Sequence, residues 1–211
     1  MWNEDNFDVN MIPYTEEAYR KGKYAFVSDY ARFWILYNYG GLYFDTDVEV
    51  IRPLDDIIAR GAFMGCERDG GNGEKCYVAP GLGLGASAEH SLFRTLLDEY
   101  EGKRFVLTED GDVCETIVDI TTNVFERLGL KEISGIQQVE DVWIYPSEYF
   151  CPINIVTKRL HITQNTRTIH HYMASWKPEK SSYKDKLRML FPEWVLLLYN
   201  KIKHKVLKNN R

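Results

Sequence analysis

The sequence lacks any apolar run that approaches the ~20 residues needed by a membrane-spanning helix. Residues 1–10 are polar and acidic, unlike the apolar stretch of a secretory signal, so we expect neither a transmembrane segment nor a cleavable signal. Cysteine is scarce too. The chain has 4 cysteines, Cys66, Cys76, Cys114 and Cys151, and none of them stands in a CxxC pair. This number and spacing suit neither a disulfide framework nor a zinc site, so we expect reduced thiols and a cytoplasmic protein.

Internal repeats, low-complexity tracts and long linkers are missing as well. A chain of 211 residues with 45% apolar and 27% charged residues should fold around a core. We divide it into a domain over residues 1–180 and a tail over residues 181–211. From Lys177 onward there are 10 basic and 3 acidic residues, whereas the rest has 16 basic and 28 acidic ones. The acidic body argues against nucleic acid as a partner, and the basic tail suggests an anionic membrane surface.

Periodicity and turn residues predict alternating helices and short strands. Thr15 is predicted to cap a helix that starts at Glu16, and the glycines 40–41 to end a helix over Ser28–Tyr39. Further helices are predicted from Pro53 and over residues 89–101, 112–128 and 182–208, with strands over residues 42–44, 62–64, 82–86, 142–145 and 168–172. This alternation is typical of an α/β domain with a mostly parallel sheet, in which ligands bind beyond the carboxyl ends of the strands.

Asp45-Thr46-Asp47 stands at such a strand end, directly after Leu42-Tyr43-Phe44. Two carboxylates there would repel a phosphate unless a divalent cation lay between them. Oxygen ligands select a hard cation, so the pattern indicates Mg²⁺ or Mn²⁺. A solvated acidic turn is the alternative, because a single Asp-x-Asp is a weak signal. A second pair, Asp110-Gly111-Asp112, is interpreted as a structural loop before a helix.

The sequence segments around Asp45-Thr46-Asp47 are more specific than the Asp-x-Asp pair itself. Val27-Ser28-Asp29-Tyr30-Ala31-Arg32 is followed by Leu36–Asp47, which reads LYNYGGLYFDTD. Together they resemble the signature of glycosyltransferase family 32, the sugar-binding-region family with a DXD motif, and of the glucosyltransferase domains of large bacterial toxins. The resemblance implies a GT-A fold, a nucleotide-diphospho-sugar donor such as a UDP- or GDP-sugar, and a Mn²⁺ or Mg²⁺ cofactor.

Asp29 and Arg32 lie three residues apart, and therefore on one face of the predicted helix, where they can act as a unit. The resemblance implies that they hold hydroxyls of the donor sugar. A local ion pair is the simpler structural explanation and is compatible with that role. Asp29, Arg32, Asp45 and Asp47 are the candidate catalytic residues.

Two neighbouring histidines, His170 and His171, fall within the last predicted strand. Adjacent side chains of a strand point to opposite faces, so at most one of the two is expected to reach the metal. The spacing from His171 to Lys177 looks like the HxxxxxKP motif of the related family 8 galactosyltransferases. By this resemblance His171 is assigned as the third metal ligand, with His170 in reserve, and Lys177 as a contact of the diphosphate. Ser175 and Trp176 are expected at the phosphates and the departing nucleotide.

The sequence departs from the related families at two points. The toxins have a glutamate where this chain has Tyr172, so their ligand set is not transferred whole. Members of family 32 also begin with a strand of the IPKIIHY kind, which this sequence does not contain, so the expected GT-A fold lacks that strand. The resemblance implies a retaining glycosyltransferase of capsule or cell-surface glycan synthesis that acts on a polysaccharide or lipid-linked acceptor. Its reaction would be a metal-assisted, same-face displacement of the nucleoside diphosphate.

Two alternative functions stay open. One is a non-catalytic binding protein of the same ancestry, motivated by the missing strand. The other is a haloacid-dehalogenase-like phosphatase, whose nucleophile motif resembles Leu42–Asp47. That class requires a later GDxxxD motif, and this chain has Thr116 where the last aspartate should follow Asp112.

The tail combines apolar and basic residues. Five apolar residues keep three- or four-residue helical spacing: Leu187, Leu190, Phe191, Trp194 and Leu198. A basic amphipathic helix with a tryptophan among its apolar residues is typical of an interfacial anchor. We expect the protein to lie peripherally on the inner face of the plasma membrane. A helix docked on the protein's own core is the alternative.

Overall fold

The computed structural model describes residues 3, 5–71, 74–108, 115–154, 156–172 and 191–209, with the backbone alone at 201 and 203–209. The helices are α1 (Pro13–Arg20), α2 (Tyr24–Tyr39), α3 (Asp55–Ile58), α4 (Ser91–Asp98), α5 (Ile117–Arg127), α6 (Ser147–Phe150) and α7 (Glu193–Asn209). The strands are β1 (Gly41–Tyr43), β2 (Val48–Val50), β3 (Ala62–Arg68), β4 (Tyr77–Val78), β5 (Leu84–Ala86), β6 (Gln137–Val139), β7 (Val142–Tyr145) and β8 (Thr168–His170).

The main sheet is mixed, with the order β1-β5-β3-β7-β6 and with β4 also pairing to β3. In the described part of the chain β3 and β7 run parallel, whereas the other pairings in this sheet are antiparallel. The α/β class is therefore confirmed, but the expectation of a mostly parallel sheet is wrong. For β6 and β7 the reason is the two-residue turn at Glu140-Asp141, which can only reverse the direction of the chain.

Alternate residues of β3 face two different cores. Ala62, Met64 and Cys66 pack into the larger core together with α1, α2, α4 and α5, whereas Phe63 faces a smaller core with α6. Fully buried aromatic rings fill both cores: Phe33, Phe93, Tyr100, Phe105 and Phe125 in the larger one, and Tyr145 and Phe150 in the smaller one. Aromatic residues make up 14% of the chain, and many of them therefore serve core packing.

The first helix starts earlier than the sequence indicated. It begins at Pro13, and Ile12 rather than Thr15 precedes it. Proline suits the first helical position because its φ angle is already helical and it has no N–H to satisfy. Thr15 instead donates its hydroxyl to the carbonyl of Ile12 at 3.0 Å. The predicted Thr15 cap is wrong.

Helix α2 begins at Tyr24, four residues before the predicted start at Ser28, and ends at Gly40 as predicted. Gly40 adopts φ +66°, and a Cβ at this position would lie 2.6 Å from the backbone nitrogen of Ala88. The glycine is thus required twice, for its conformation and for the close approach of a neighbouring segment.

The remaining elements agree with the sequence to different degrees. The strand over residues 142–145 has the predicted bounds, but β2, β4 and β6 were not predicted. Helix α5 starts at Ile117 behind a capping box formed by Thr116 and Asp119, and the pair Asp110 and Asp112 lies outside the described residues. Of the predicted tail helix, residues 182–190 also lie outside them. In the described ranges no helix has both the length and the apolar character that crossing a membrane demands.

Candidate functional site

The loop between β1 and β2 carries both carboxylates of the DXD motif. The backbone N–H of Asp45 donates to the carbonyl of Gly81 at 2.9 Å, and Asp45 Oδ1 accepts a hydrogen bond from the Tyr43 hydroxyl at 2.9 Å. A Cβ at Gly81 would lie 2.1 Å from Asp45 Oδ2, so only glycine leaves room for this carboxylate. Asp45 is therefore held through its backbone and its side chain.

Arg32 of helix α2 connects this loop to a buried carboxylate. Its Nη2 lies 2.8 Å from Asp29 Oδ1, and its Nη1 lies 3.3 Å from Asp45 Oδ1. The guanidinium also donates from Nε to the carbonyl of Ser28 at 3.2 Å and lies 4.7 Å from the ring centre of Tyr43. A planar guanidinium with five N–H groups can serve several partners at once. Arg32 thus connects helix α2 to the loop between β1 and β2, which we call the DXD loop.

Asp29 is nearly fully buried, with 7% of its surface exposed. Burial raises the pKa of Asp29 to about 6, even though the charge of Arg32 acts in the opposite direction. The two residues form the ion pair that their spacing suggested, and Arg32 positions Asp45. Contact of Asp29 and Arg32 with a sugar stays a prediction.

Strand β8 brings a histidine from the far end of the sequence to the same loop. It pairs antiparallel with β2, so that Val48 lies opposite His170. His170 Nε2 lies 3.1 Å from Asp47 Oδ1, whereas His171 Nε2 lies 2.9 Å from Glu49 Oε2. The geometry therefore groups His170, the reserve residue, with the DXD motif, and it directs His171 to the neighbouring glutamate.

Asp45, Asp47 and His170 offer three ligand atoms that all lie within 4.8 Å of one another. All three residues are half-buried, so the cluster is reachable from solvent. Burial lowers the pKa of His170, although Asp47 and Asp45 oppose the shift, so the ring is neutral near pH 7. A neutral imidazole and two carboxylates fit a divalent cation, and the residues present are compatible with the expected metal.

Three residues that the sequence assigned to the donor, Ser175, Trp176 and Lys177, lie outside the described residues. Their roles stay predictions. The same holds for Asp112, on which the phosphatase alternative depends.

An apolar cavity of about 620 Å³ is lined mainly by residues of helix α2 and strand β1. Helix α2 lines one side with Val27, Ala31 and Ile35, and Leu42 of β1 lies on another. Arg32 and Tyr43, which contact Asp45, also line this cavity, whereas Asp45, Asp47 and His170 are not among its lining residues.

Sequence reasoning missed the contributions of Tyr43 and Gly81. Tyr43 stood within the motif as an apolar strand residue, and nothing in the sequence marked its hydroxyl as a partner of Asp45. Gly81 belongs to the glycine-rich run over residues 81–85, which was a visible signal of close backbone approach. Its target, the carboxylate of Asp45, lies too far away in the sequence to be inferred from that signal.

Part of the chain matches a model of a known protein family. Residues 2–64 match the model of the glycosyltransferase sugar-binding region containing a DXD motif. No curated protein and no solved structure matches the chain significantly. The matched part contains Asp29, Arg32, Asp45 and Asp47, whereas His170 lies beyond it. The match indicates a glycosyltransferase with a nucleotide-sugar donor, and the grouping of His170 with the DXD motif depends on the geometry alone.

Proposed function

We propose that this protein is a retaining, metal-dependent glycosyltransferase that moves a hexose from a UDP- or GDP-sugar to a glycan or lipid-linked acceptor. One observation carries the proposal. Asp45 and Asp47 lie in the matched sugar-binding region, and a histidine from another part of the chain joins them to form a set of candidate metal ligands. A solvated acidic turn needs no such partner.

The set of candidate metal ligands, two carboxylates and an imidazole, favours Mn²⁺ over Mg²⁺. Magnesium binds oxygen ligands and keeps several waters, whereas manganese also accepts an imidazole nitrogen. Asp45, Asp47 and His170 would hold the ion. When bound, such a cation would neutralise the diphosphate and stabilise the charge that develops on it as the glycosidic bond breaks.

The residues of the chain then have distinct tasks. Arg32 and Tyr43 fix the orientation of Asp45, so the carboxylate need not reorganise when the donor binds. The acceptor hydroxyl attacks the anomeric carbon on the face from which the diphosphate leaves, and its proton passes to the departing diphosphate. By resemblance Lys177, Ser175 and Trp176 bind the diphosphate and the nucleotide, and Asp29 and Arg32 the donor sugar.

Two features of the protein surface support the proposed acceptor and the proposed location. The apolar cavity, whose lining includes Arg32 and Tyr43, supports an acceptor with an apolar portion. The exposed apolar residues of α7 support attachment to the cytoplasmic face of a membrane, where lipid-linked acceptors are found. Together they favour a role in capsule or cell-surface glycan synthesis.

The test is nucleotide release from a panel of UDP- and GDP-sugars, with Mn²⁺, with Mg²⁺ and with EDTA. We expect release of one nucleoside diphosphate that depends on the metal and is lost in Asp47→Asn. Asp98→Asn, which changes an exposed carboxylate on α4, serves as the matched control and should keep the activity. NMR of the product anomer then tests retention of configuration.

Other outcomes separate the alternatives. Metal-dependent binding of a nucleotide-sugar without turnover would favour the non-catalytic binding protein. Phosphate release from a phosphomonoester would favour the phosphatase. Absence of any nucleotide binding, in a protein shown by circular dichroism to be folded, would overturn the proposal.

A further inference from the structure

Two cysteines meet inside the larger core, away from the metal cluster. Cys66 of β3 and Cys76, just before β4, place their sulfur atoms 3.1 Å apart, and each residue is only 2% exposed. A contact this close between two thiols is shorter than their van der Waals separation, and a small rearrangement would bring them to bonding distance. We propose that Cys66 and Cys76 form a disulfide when the protein meets an oxidising low-molecular-weight disulfide.

Strand geometry sets up this contact. Strands β3 and β4 pair antiparallel, with Cys66 opposite Val78 and a register irregularity between Cys66 and Arg68. Side chains two residues apart on a strand share a face, so Cys76 lies on the same side of the pair as Val78 and diagonally across from Cys66. The N–H of Val78 donates to the hydroxyl of Thr122 at 3.0 Å, which anchors β4 to α5. Pairing of the two strands thus brings the backbone at Cys76 close to that at Cys66.

The two thiols also differ in acidity. The hydrogen bond from Cys66 lowers the pKa of Cys76, assisted by a backbone hydrogen bond from Gly70, although burial opposes the shift. The same hydrogen bond, together with burial, raises the pKa of Cys66. Cys76 is therefore the attacking thiolate of the pair, and Cys66 closes the bond.

The reaction with glutathione disulfide balances in two exchange steps. The Cys76 thiolate attacks one sulfur of glutathione disulfide and releases one glutathione. Cys66 loses its proton, attacks the Cys76 sulfur and releases the second glutathione. The protein loses two electrons and two protons, and one glutathione disulfide becomes two molecules of glutathione. Because both thiols are buried, the exchange requires opening of the hairpin loop or takes place during folding.

The bond would close the loop over residues 67–75, which includes Asp69. Asp69 accepts hydrogen bonds from the backbone nitrogen of Ser147 at 2.5 Å and from its hydroxyl at 3.1 Å, and so holds the start of α6. At the end of α6, the carbonyl of Phe150 accepts from the Thr168 hydroxyl at 3.1 Å on β8. The disulfide would thus stabilise the β3–β4 hairpin. Asp69 of this hairpin contacts the start of α6, and the end of α6 in turn contacts β8.

The experiment compares the full chain after dithiothreitol with the full chain refolded in a glutathione redox buffer. Unfolding in the presence of an alkylating agent, followed by mass spectrometry of peptides, reports which cysteines are free. We expect a linked Cys66–Cys76 peptide, with Cys114 and Cys151 alkylated, and a melting temperature about 5–10 °C higher than that of the reduced protein. Dithiothreitol should reverse the shift.

Single substitutions provide the controls. Cys66→Ala and Cys76→Ala should each abolish the redox-dependent part of the melting shift, whatever their own effect on stability. Cys151→Ala removes a buried cysteine that contacts Tyr172 instead, and it should keep that shift. Four alkylated cysteines after refolding in the oxidising buffer, or a linkage through Cys114 or Cys151, would overturn the inference.

Discussion

Arg32 and Asp45 form an ion pair between helix α2 and the DXD loop, with Nη1 and Oδ1 3.3 Å apart. The arginine side chain is 4% exposed, whereas the aspartate side chain is 31% exposed. One end of the pair is thus fixed in the interior, and the other is partly accessible to solvent. Because Arg32 is also bound to Asp29, the position of the Asp45 carboxylate depends on a buried ion pair within helix α2.

The two adjacent histidines provide a matched pair of substitutions. His170→Ala removes the side chain that lies 3.1 Å from Asp47, and His171→Ala removes the one that pairs with Glu49. We expect His170→Ala to weaken Mn²⁺-dependent binding of UDP or GDP by about tenfold or more, as loss of a metal ligand or its close support does. His171→Ala should change the affinity by less than about threefold.

Isothermal titration calorimetry with and without Mn²⁺ measures both effects. Asp47→Ala serves as the reference for loss of the site. If His171→Ala caused the larger loss, the assignment made from the sequence would be restored, and the pairing of His170 with Asp47 would have no role in metal binding.

Gly81→Ala tests the packing beneath the carboxylate cluster. The new Cβ would lie 2.1 Å from Asp45 Oδ2, so the carboxylate must leave its present position, in which it contacts Arg32 and Tyr43. We expect the Mn²⁺-dependent nucleotide affinity to fall, together with a loss of about 1–3 kcal/mol in the free energy of unfolding from overpacking. Gly135→Ala, at a position with open space around it, should change neither quantity. An unchanged nucleotide affinity in Gly81→Ala would show that the position of Asp45 is not critical.

Asp29→Asn tests the buried charge through the pH dependence of stability. Because folding raises the pKa of Asp29 from 3.8 to about 6, the folded protein holds this proton more tightly than the unfolded chain. This tighter binding of the Asp29 proton contributes fully to the free energy of unfolding below pH 3.8. The contribution declines as the pH rises and is lost above about pH 6. The shift corresponds to about 3 kcal/mol.

Asparagine cannot titrate, so the difference in unfolding free energy between wild type and Asp29→Asn should fall by up to about 3 kcal/mol from pH 4 to pH 7. Urea unfolding in EDTA across this range measures the difference. A constant offset between the two proteins is immaterial, since only the slope reports the titration. A difference independent of pH would show that Asp29 has an ordinary pKa.

The local part of the site was predictable from the sequence, and its distant part was not. Asp29, Arg32, Asp45 and Asp47 belong to one continuous helix–strand–loop unit, whose spacing is visible in the chain. The choice of histidine depends instead on the register between β2 and β8, and a slip by one residue would exchange His170 for His171. Strand β2 has three residues, two of them exposed, so no apolar pattern revealed it.

The direction of the strands was hidden for a similar reason. Strand β5 has only three residues, and it pairs antiparallel with both of its neighbours in the main sheet, β1 and β3. Alternation of helices and strands indicates the class of fold, but not whether a short connection reverses the chain. Hence the α/β class followed from the sequence, whereas the mixed sheet appeared only in the structure.

Helix α7 leaves a continuous apolar strip uncovered. Trp194, Leu198 and Ile202 recur every four residues and are 67%, 51% and 55% exposed. The start of the helix is held on the body through Glu193, which contacts Thr157 and bonds the ring of His161 at 3.1 Å. A helix docked on the core would bury these three apolar side chains, so the exposed strip favours the predicted membrane surface over a docked helix, and membrane binding stays a prediction.

Co-sedimentation with vesicles tests this surface. We expect binding to vesicles that contain anionic lipid, weakening as salt rises, because each basic residue near such a surface contributes about 1 kcal/mol. Truncation after Lys180 should abolish it. The double substitution Trp194→Glu and Leu198→Glu should reduce binding by about tenfold or more, because both the apolar area and the charge become unfavourable.

The matched control is Leu160→Glu with Ile162→Glu, which changes two exposed apolar residues on the body. These side chains are 48% and 49% exposed, so the control carries the same change in charge at comparable exposure but lies outside α7. It should bind vesicles like the wild type. If the full chain stays in the supernatant with anionic vesicles at low salt, the membrane prediction fails. If both double variants lose binding equally, attachment depends on net charge, and the apolar strip of α7 has no specific part in it.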